Sequence, residues 1–300
     1  MVPNSDISEG GSRLKTGFGD NGSVMNAVGK VAFRSFETGG EYEHFAIGDP
    51  EEGYSVFYKT SAGADVAAHD VYADGPGDLV NITRVSHRIL RNDPGEFVKE
   101  TLSRTADGKL EIRNMLTFAA DATRVTVRMD ITNQSGQDLT QVLVKRYCDI
   151  DVDTGGPNGW ANYQNHFSKD GDSVHAWNQP SEVRSPGKHA HIVNMVAMPS
   201  DVPLDQTFIG EMGREQFKTR ENTFPITNSG LQDGIGVLQW EATRLRVGES
   251  IQLNMYYDAF CLHSDIPLVF RHDPTSVRAH DIAITSHVAP VAKQPAPTRT

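Results

Sequence analysis

Residues 124–150 read RVTVRMDITNQSGQDLTQVLVKRYCDI and contain two runs in which apolar and polar side chains alternate. The runs are separated by NQSGQD, whose Asn, Ser, Gly and Asp residues are typical of turns. Alternation with period two indicates β-strands that bury one face. The stretch therefore predicts one long antiparallel hairpin, and two such amphipathic sheets packed face to face would form a β-sandwich.

The same alternation recurs along most of the chain. It is clearest in YSVFYK, LVNITRVSHRIL, KLEIRNMLTF, HIVNMVAM, GVLQWEATRL and SIQLNMYYDAF. Turn-forming clusters such as ADGK, KDGD and RVGES separate these runs, and no long segment keeps a helical period of 3.6. Residues 199–228 lack the strand pattern and predict a short helix or a long loop over the sheet. The predicted fold class is all-β, a large antiparallel β-sandwich with little helix.

The predicted domain organisation has three parts. Residues 1–25 are expected to be an irregular N-terminal segment, and residues 26–288 a single β-sandwich domain. Residues 289–300 are rich in Pro and Ala without an apolar period, which predicts a disordered C-terminal tail.

Composition excludes several classes of function. The 39 acidic and 28 basic residues give a formal net charge of -11, which disfavours nucleic acid and anionic membranes as partners. The sequence lacks a GxSxG elbow, a P-loop, an HExxH motif and a dinucleotide-binding fingerprint. Cys148 and Cys261 are too few for a disulfide framework, have no zinc-site spacing, and are expected to be small core residues.

No basic segment followed by an apolar run opens the sequence, and no run of eighteen apolar residues occurs later. As written, the chain is therefore expected to be soluble, unexported and cytoplasmic. A secreted mature chain lacking its leader would have the same appearance.

Two stretches resemble galactose-mutarotase-like (supersandwich) proteins. One is ITNQSGQDL with the strand that continues into RYCDIDVD, and the other is LQWEATRLRVGESIQLNMYYDAF. Together they place the resemblance over residues 125–260. It implies a supersandwich-like fold with a carbohydrate-binding cleft on a concave sheet, although one sandwich fold can carry many functions.

The strand LVKRYCDIDVD carries the main candidates for chemistry. Alternation predicts one packed face and one wet or functional face, and the latter would present Leu143, Lys145, Tyr147, Asp149, Asp151 and Asp153. Arg146 falls on the packed face, so it is expected near a sheet edge or against a buried acid.

Three interpretations of these aspartates are open. Crowded carboxyls in a cleft would raise one pKa and leave a neighbour ionised, which provides an acid and a base. Alternatively, Asp149, Asp151 and Asp153 would bind calcium, although Thr154 and Trp160 at the sixth and twelfth positions exclude an EF-hand. The third interpretation is a plain solvated strand face.

Aromatic, amide and imidazole groups follow this strand closely, in a combination typical of sugar-binding sites. The predicted catalytic residues are Tyr147, Asp149, Asp151 and His166. The predicted substrate-binding residues are Trp160, Asn162, Tyr163, His175, Trp177, Glu43, His87 and Arg271. Trp177 could equally be a core aromatic, and His189 and His191 could be metal ligands or a polar edge pair.

The sequence therefore favours an enzyme that acts on a sugar or glycoside by general acid/base chemistry, of lyase, epimerase or glycosidase type. Its partner would be a small carbohydrate, and the oligomeric state is open. A first alternative is a non-catalytic carbohydrate-binding module with a structural calcium ion. A second is an enzyme acting on an apolar metabolite inside the sandwich. No cofactor other than calcium is implied.

Overall fold

A computed structural model describes residues 7–262 except 11–12, 20, 25–31, 38–39, 46–51, 72–78, 94, 155–163, 179–189, 212–214 and 227–229. These residues form two large antiparallel sheets packed as a sandwich, which confirms the predicted fold class. Within this described part of the chain, no helix has the length and apolar character needed to span a bilayer.

The first sheet has ten strands. They are β1 (Ile7–Gly10), β2 (Leu14–Phe18), β3 (Phe33–Glu37), β4 (Gly40–Phe45), β5 (Glu52–Lys59), β6 (Asp65–Val71), β7 (Leu79–Val80), β12 (Leu139–Thr154), β16 (Leu204–Glu211) and β17 (Gly234–Leu245). The order β1-β2-β3-β4-β12-β5-β6-β7 forms its main path, and β17 pairs with β12 and β16. The sixteen-residue strand β12 thus contacts β4, β5 and β17 along its length.

The second sheet has eight strands. They are β8 (Ile82–Asp93), β9 (Glu96–Thr105), β10 (Leu110–Ala119), β11 (Arg124–Asn133), β13 (His166–Asp170), β14 (Ser173–Trp177), β15 (Ala190–Met198) and β18 (Ser250–Leu262). Their order is β13-β14-β15-β18-β11-β10-β9-β8, so β8 and β13 are the edge strands.

Residues 124–150 form two strands, but the prediction that they pair as a hairpin is wrong. Strand β11 pairs with β10 and β18 in the eight-stranded sheet, whereas β12 belongs to the other sheet. The turn between them therefore crosses the sandwich. A second crossing between β17 and β18 lies beside it, and backbone hydrogen bonds join Asn133 to Gly248 and Glu249. Alternation shows which face a strand buries, but it does not show which strand is the neighbour.

Two segments differ from the expected organisation. Strands β1 and β2 lie inside residues 1–25, for which an irregular conformation was expected, and Leu14 and Phe18 are buried in the core. Strand β2 is only five residues long and contains Gly17, which hides its alternation. Residues 199–228 contain the expected short helix, α1 (Glu215–Lys218), together with the unexpected strand β16. A register shift in β16 breaks its period. The predicted tail, 289–300, lies outside the described residues.

The main core lies between the two sheets. Strand β12 contributes Val144, Cys148, Ile150 and Val152, all fully buried. Burial raises the pKa of the Cys148 thiol well above its ordinary value. Burying each such apolar side chain contributes about 1.5 to 3 kcal/mol.

Arg146 is also fully buried in this core, where it meets a buried acid, one of the two positions that the sequence left open. Its Nε donates to Glu52 Oε1 at 2.5 Å, and one terminal nitrogen donates to the Gly22 carbonyl at 3.0 Å. The Tyr257 hydroxyl donates to the same Glu52 oxygen at 2.8 Å. The Glu52 carboxylate therefore links Arg146 of the ten-stranded sheet to Tyr257 of the eight-stranded sheet.

Candidate functional site

The outer face of the ten-stranded sheet around β12 is covered rather than wet. Residues 215–226, which we call the covering segment, lie over it. Lys145 Nζ donates to the Thr219 carbonyl at 3.0 Å, and Ser55 Oγ donates to the Phe217 carbonyl at 3.1 Å. Lys145 is only 1% exposed. The third interpretation, a plain solvated strand face, is therefore wrong, because the sequence pattern does not reveal the segment that packs on top.

Two rows of side chains cross this covered face. The first row is polar and consists of His69, Ser55, Lys145, Gln239 and Gln206. The second row is mostly apolar and consists of Val71, Gly53, Tyr147, Val237 and Phe208. Burial lowers the pKa of His69 to about 4, with the charge of Lys218 as a smaller cause. Burial also lowers the pKa of Lys145 to about 8.

Tyr147, a predicted catalytic residue, belongs to the apolar row. Its ring packs against the tilted ring of Phe217 at a centroid distance of 3.8 Å, and its hydroxyl donates to the Asp70 carbonyl at 3.4 Å. Burial raises the pKa of Tyr147 well above its ordinary value, and the charge of Asp70 adds to this effect. These contacts describe a packing residue under the covering segment.

Beyond the apolar row, β12 presents two of the three predicted aspartates beside a third acid. Asp149 and Asp151 are buried, at 1% and 2% exposure, and Asp233 is exposed. One carboxylate oxygen from each lies within 4.8 Å of the others. We call Asp149, Asp151 and Asp233 the carboxyl cluster. It stands at the end of the β12–β17 pairing, where Asp149 faces Ile235.

Asn165 fixes this end of the sheet. Its side chain donates to the Ile150 carbonyl at 2.8 Å and accepts from the Val152 amide at 3.0 Å. Its backbone forms two hydrogen bonds with Gln232, at 2.8 and 2.9 Å. Asn165 therefore occupies the place of a neighbouring strand and holds Gln232, and hence Asp233, beside β12.

The electrostatics of the carboxyl cluster favour protonation or cation binding. The pKa of Asp151 is raised well above its ordinary value, first by burial and second by the negative charge of Asp233. Loss of solvation also raises the pKa of Asp233. In addition, Asp151 Oδ1 is buried and has no hydrogen-bond partner among the described residues. A carboxylate in this position needs a proton or a cation.

Asp153 does not join the other two aspartates. Its backbone has a φ of 66°, a left-handed conformation that is uncommon for a residue other than glycine. The side chain therefore leaves the face of Asp151 and meets His44 and His191. The predicted calcium set of Asp149, Asp151 and Asp153 is wrong in its third member, because Asp233 occupies that position.

His191 is a central rather than an edge residue. It lies on β15 between β14 and β18, and it follows the same alternation as the core residues Val193 and Met195. Its Nδ1 is in hydrogen-bonding contact with Asp153 Oδ1. The expected polar edge pair of His189 and His191 is therefore wrong for His191, and His189 lies outside the described residues.

Glu43, predicted to bind substrate, is fully buried and bonded within the first sheet. It accepts from the Phe33 amide at 2.6 Å and pairs with Arg34 Nε at 3.3 Å. Burial raises its pKa, and the charge of Arg34 opposes this shift. These bonds hold β3 against β4.

The remaining described candidates lie on the eight-stranded sheet. His166 and Trp177 face each other across β13 and β14, with stacked rings 5.5 Å apart. His175 bonds to Asn194 at 2.6 Å, and His87 is exposed on the edge strand β8. The structure thus places these residues and the carboxyl cluster on different sheets. Trp160, Asn162, Tyr163 and Arg271 lie outside the described residues and stay predictions.

Two shallow grooves open elsewhere on the surface. One is lined on the eight-stranded sheet by residues that include Arg128 and Asp130, which form a two-bond ion pair at 2.9 Å. The other lies near Pro203 and Arg244. Arg244 pairs with Asp138. These groups are already matched in charge, unlike the carboxyl cluster.

Comparisons with known proteins give only distant matches. No protein-family model matches the sequence, and no match was found among curated proteins. A galactose mutarotase-like protein from Lactobacillus casei has 13% identity and a TM-score of 0.40, covering 85% of this chain and 100% of that one. A protein provisionally named an aldose 1-epimerase from Escherichia coli K12 has 13% identity and a TM-score of 0.45, covering 86% and 100%.

A protein provisionally named a kojibiose phosphorylase, from the human microbiome, has 12% identity and a TM-score of 0.42, covering 87% of this chain. The present chain spans 31% of that protein and 30% of a bacterial glucoamylase that also matches. The solved structures similar to this chain thus include galactose-mutarotase-like proteins, as the sequence resemblance implied. Similarity at this level carries no argument about activity.

Proposed function

We propose that the protein is a carbohydrate-active enzyme in which Asp233 and Asp151 exchange protons with a neutral sugar. The observation that supports this function is the pairing of a buried acid with an exposed one whose pKa values are both raised. Two interacting carboxyls titrate as a unit and share one proton over a range of pH. Such a pair supplies an acid and a base at the same place.

Asp233 is the group that meets the substrate, because it is exposed whereas Asp151 is 2% exposed. Asp151 is the buried carboxyl with which Asp233 shares a proton, so that one of the two stays protonated. Asp149 adds a third carboxyl within 4.8 Å. Three neighbouring acids repel phosphate and carboxylate substrates and suit a ligand rich in hydroxyl groups.

The reaction that best suits this pair is ring opening of an aldose. The pair donates a proton to the ring oxygen and accepts the proton of the anomeric hydroxyl, so the bond between the anomeric carbon and the ring oxygen breaks and an open-chain aldehyde forms. Both oxygens are bonded to one carbon, so the two oxygens of the exposed Asp233 carboxyl can contact them together, one donating a proton and the other accepting one. Reclosure on the other face gives the other anomer and returns both protons.

The test is anomer exchange measured by NMR on a panel of pentoses, hexoses and a disaccharide. A positioned acid or base contributes about 10² to 10⁴-fold in rate, so Asp233→Asn and Asp151→Asn should lower turnover by that factor. Asp121→Asn, a change at an exposed turn residue, is the matched control and should keep full turnover. Wild-type protein that accelerates no aldose, or Asn variants with unchanged turnover, would reject this function.

A second candidate is a carbohydrate-binding module with a structural calcium ion in the carboxyl cluster. It is favoured by the three converging carboxylate oxygens and by the unsatisfied Asp151 Oδ1 within the described part of the chain. Hard oxygen ligands of this kind suit calcium. At 100-fold excess over its dissociation constant, calcium would stabilise the fold by about 2.7 kcal/mol. A melting temperature that rises with calcium and falls with EDTA, without turnover of any sugar, would select this candidate.

A further inference from the structure

A second cluster of ionisable groups, separate from the carboxyl cluster, lies inside the sandwich. It consists of His44 on β4, Asp153 near the end of β12 and His191 on β15. All three are 0% exposed, and one ligand atom of each lies within 4.8 Å of the others. Two imidazoles and one carboxylate form a ligand set typical of zinc and related transition-metal ions.

We propose that His44, Asp153 and His191 bind one transition-metal ion of the zinc class between the two sheets. The ion would join β4 and β12 of the ten-stranded sheet to β15 of the eight-stranded sheet. His44 Nδ1 and Asp153 Oδ1 are 4.0 Å apart. With metal bonds of about 2.1 Å, two atoms on opposite sides of one ion are at most about 4.2 Å apart, so this pair can share an ion.

His44 is already oriented as a metal ligand. The Asp153 amide donates to His44 Nδ1 at 3.3 Å, so Nδ1 carries the lone pair, and an ion bound there would replace this long hydrogen bond. The Nε2 atom is 2.8 Å from Ser35 Oγ and, in this tautomer, donates to it. Metal-bound histidines usually have their second nitrogen held in this way.

His191 provides the second, independent observation. Its Nδ1 contacts Asp153 Oδ1, whereas its Nε2 is buried and has no hydrogen-bond partner among the described residues. A buried ring nitrogen without a partner is costly, and such groups in native proteins call for an unseen partner. An ion shared with Asp153 would bind Nδ1 in place of the present contact, and the unpartnered Nε2 shows that protein groups do not fully satisfy this imidazole within the described part of the chain.

The left-handed backbone at Asp153 brings the third ligand into place. Regular alternation would have kept its carboxylate beside Asp151. The turn in the backbone instead points it at two histidines of different sheets. The two clusters therefore use neighbouring aspartates of one strand for different ligands, oxygen-rich on the outside and nitrogen-rich on the inside.

The experiment uses the full chain, treated with a chelator and then titrated with Co²⁺ or Zn²⁺. We expect one ion per chain, visible absorption of nitrogen-coordinated Co²⁺, and a rise in melting temperature of about 5 °C at 100-fold excess of Zn²⁺ over its dissociation constant. Excess Ca²⁺ should not displace Co²⁺, because calcium prefers oxygen ligands. Absence of Co²⁺ absorption and of any Zn²⁺ stabilisation in wild-type protein would overturn the proposal.

Variants locate the ion. His191→Gln should abolish Co²⁺ absorption, whereas His175→Gln, at a histidine on the second sheet that bonds to Asn194, should retain it. Ser35→Ala is a milder change that leaves the three ligands in place, and it should weaken Zn²⁺ affinity about 10 to 100-fold. Equal affinity in wild type and Ser35→Ala, or unchanged Co²⁺ absorption in His191→Gln, would show that any bound ion lies elsewhere.

Discussion

Replacing Arg146 with Met should strongly destabilise the fold. The substitution keeps an unbranched side chain but removes a guanidinium that is bonded to Glu52, the Gly22 carbonyl and Asn114. Glu52 would stay fully buried, with the Tyr257 hydroxyl and the Val24 amide as partners but no positive charge. Leaving one member of a buried ion pair uncompensated costs about 3 to 5 kcal/mol.

Urea denaturation at pH 7 measures this cost. The double variant Glu52→Gln with Arg146→Met tests whether the unpaired charge of Glu52 causes it. Because the second change removes the orphaned charge, the double variant should be less destabilised than Arg146→Met alone. Arg104→Met is the matched control, since Arg104 pairs with Glu111 at the surface and its side chain is 50% exposed. It should cost less than about 1 kcal/mol. An Arg146→Met variant as stable as Arg104→Met would refute the reasoning.

Three further predictions concern the ten-stranded sheet. Gly53→Ala should lower the free energy of unfolding by about 3 kcal/mol or more, measured by thermal denaturation, because a Cβ would collide with the Asp70 carbonyl and the Tyr147 hydroxyl. A near-neutral effect on stability would contradict this packing. Tyr147→Phe should cost about 1 kcal/mol or less and leave anomer exchange unchanged, whereas a large loss of turnover would return Tyr147 to the catalytic residues. Asp151→Asn should become more stable than wild type as pH rises above about 4. The raised pKa of Asp151 makes the wild-type fold lose stability between the ordinary carboxyl pKa and the pKa in the folded state, and Asn does not titrate. Parallel curves of unfolding free energy against pH would contradict this, and a calcium site would instead make the Asn variant less stable than wild type.

The amino-acid pattern was sufficient for the fold class and for individual strands. In β12 it correctly separated Val144, Cys148, Ile150 and Val152 from the other face. For Arg146 it left a sheet edge and a buried acid open, and the structure shows the buried acid. The pattern could not show that β11 and β12 belong to different sheets. Pairing depends on long-range partners, and a turn that crosses the sandwich has the same residue types as a hairpin turn.

The candidate site was only partly predictable for the same reason. Asp149 and Asp151 were recognised from their spacing, but Asp233 lies on a distant segment that Asn165 and Gln232 bring to the strand. The loss of Asp153 from this set follows from one backbone angle, which no alternation rule anticipates. His44 and His191 meet only because the two sheets pack against each other. The sequence GLQDGIG did offer a signal, because an aspartate directly precedes a buried strand there.

The most direct test of the acid/base pair is a ¹³C NMR titration of the Asp151 carboxyl, with EDTA present to remove cations. In wild-type protein the Asp151 pKa should lie well above that of an ordinary aspartate, and Asp233→Asn should lower it because the neighbouring charge is removed. Asp121→Asn should leave it unchanged. An Asp151 pKa at or below the ordinary value, or one that does not respond to Asp233→Asn, would contradict the proposed function.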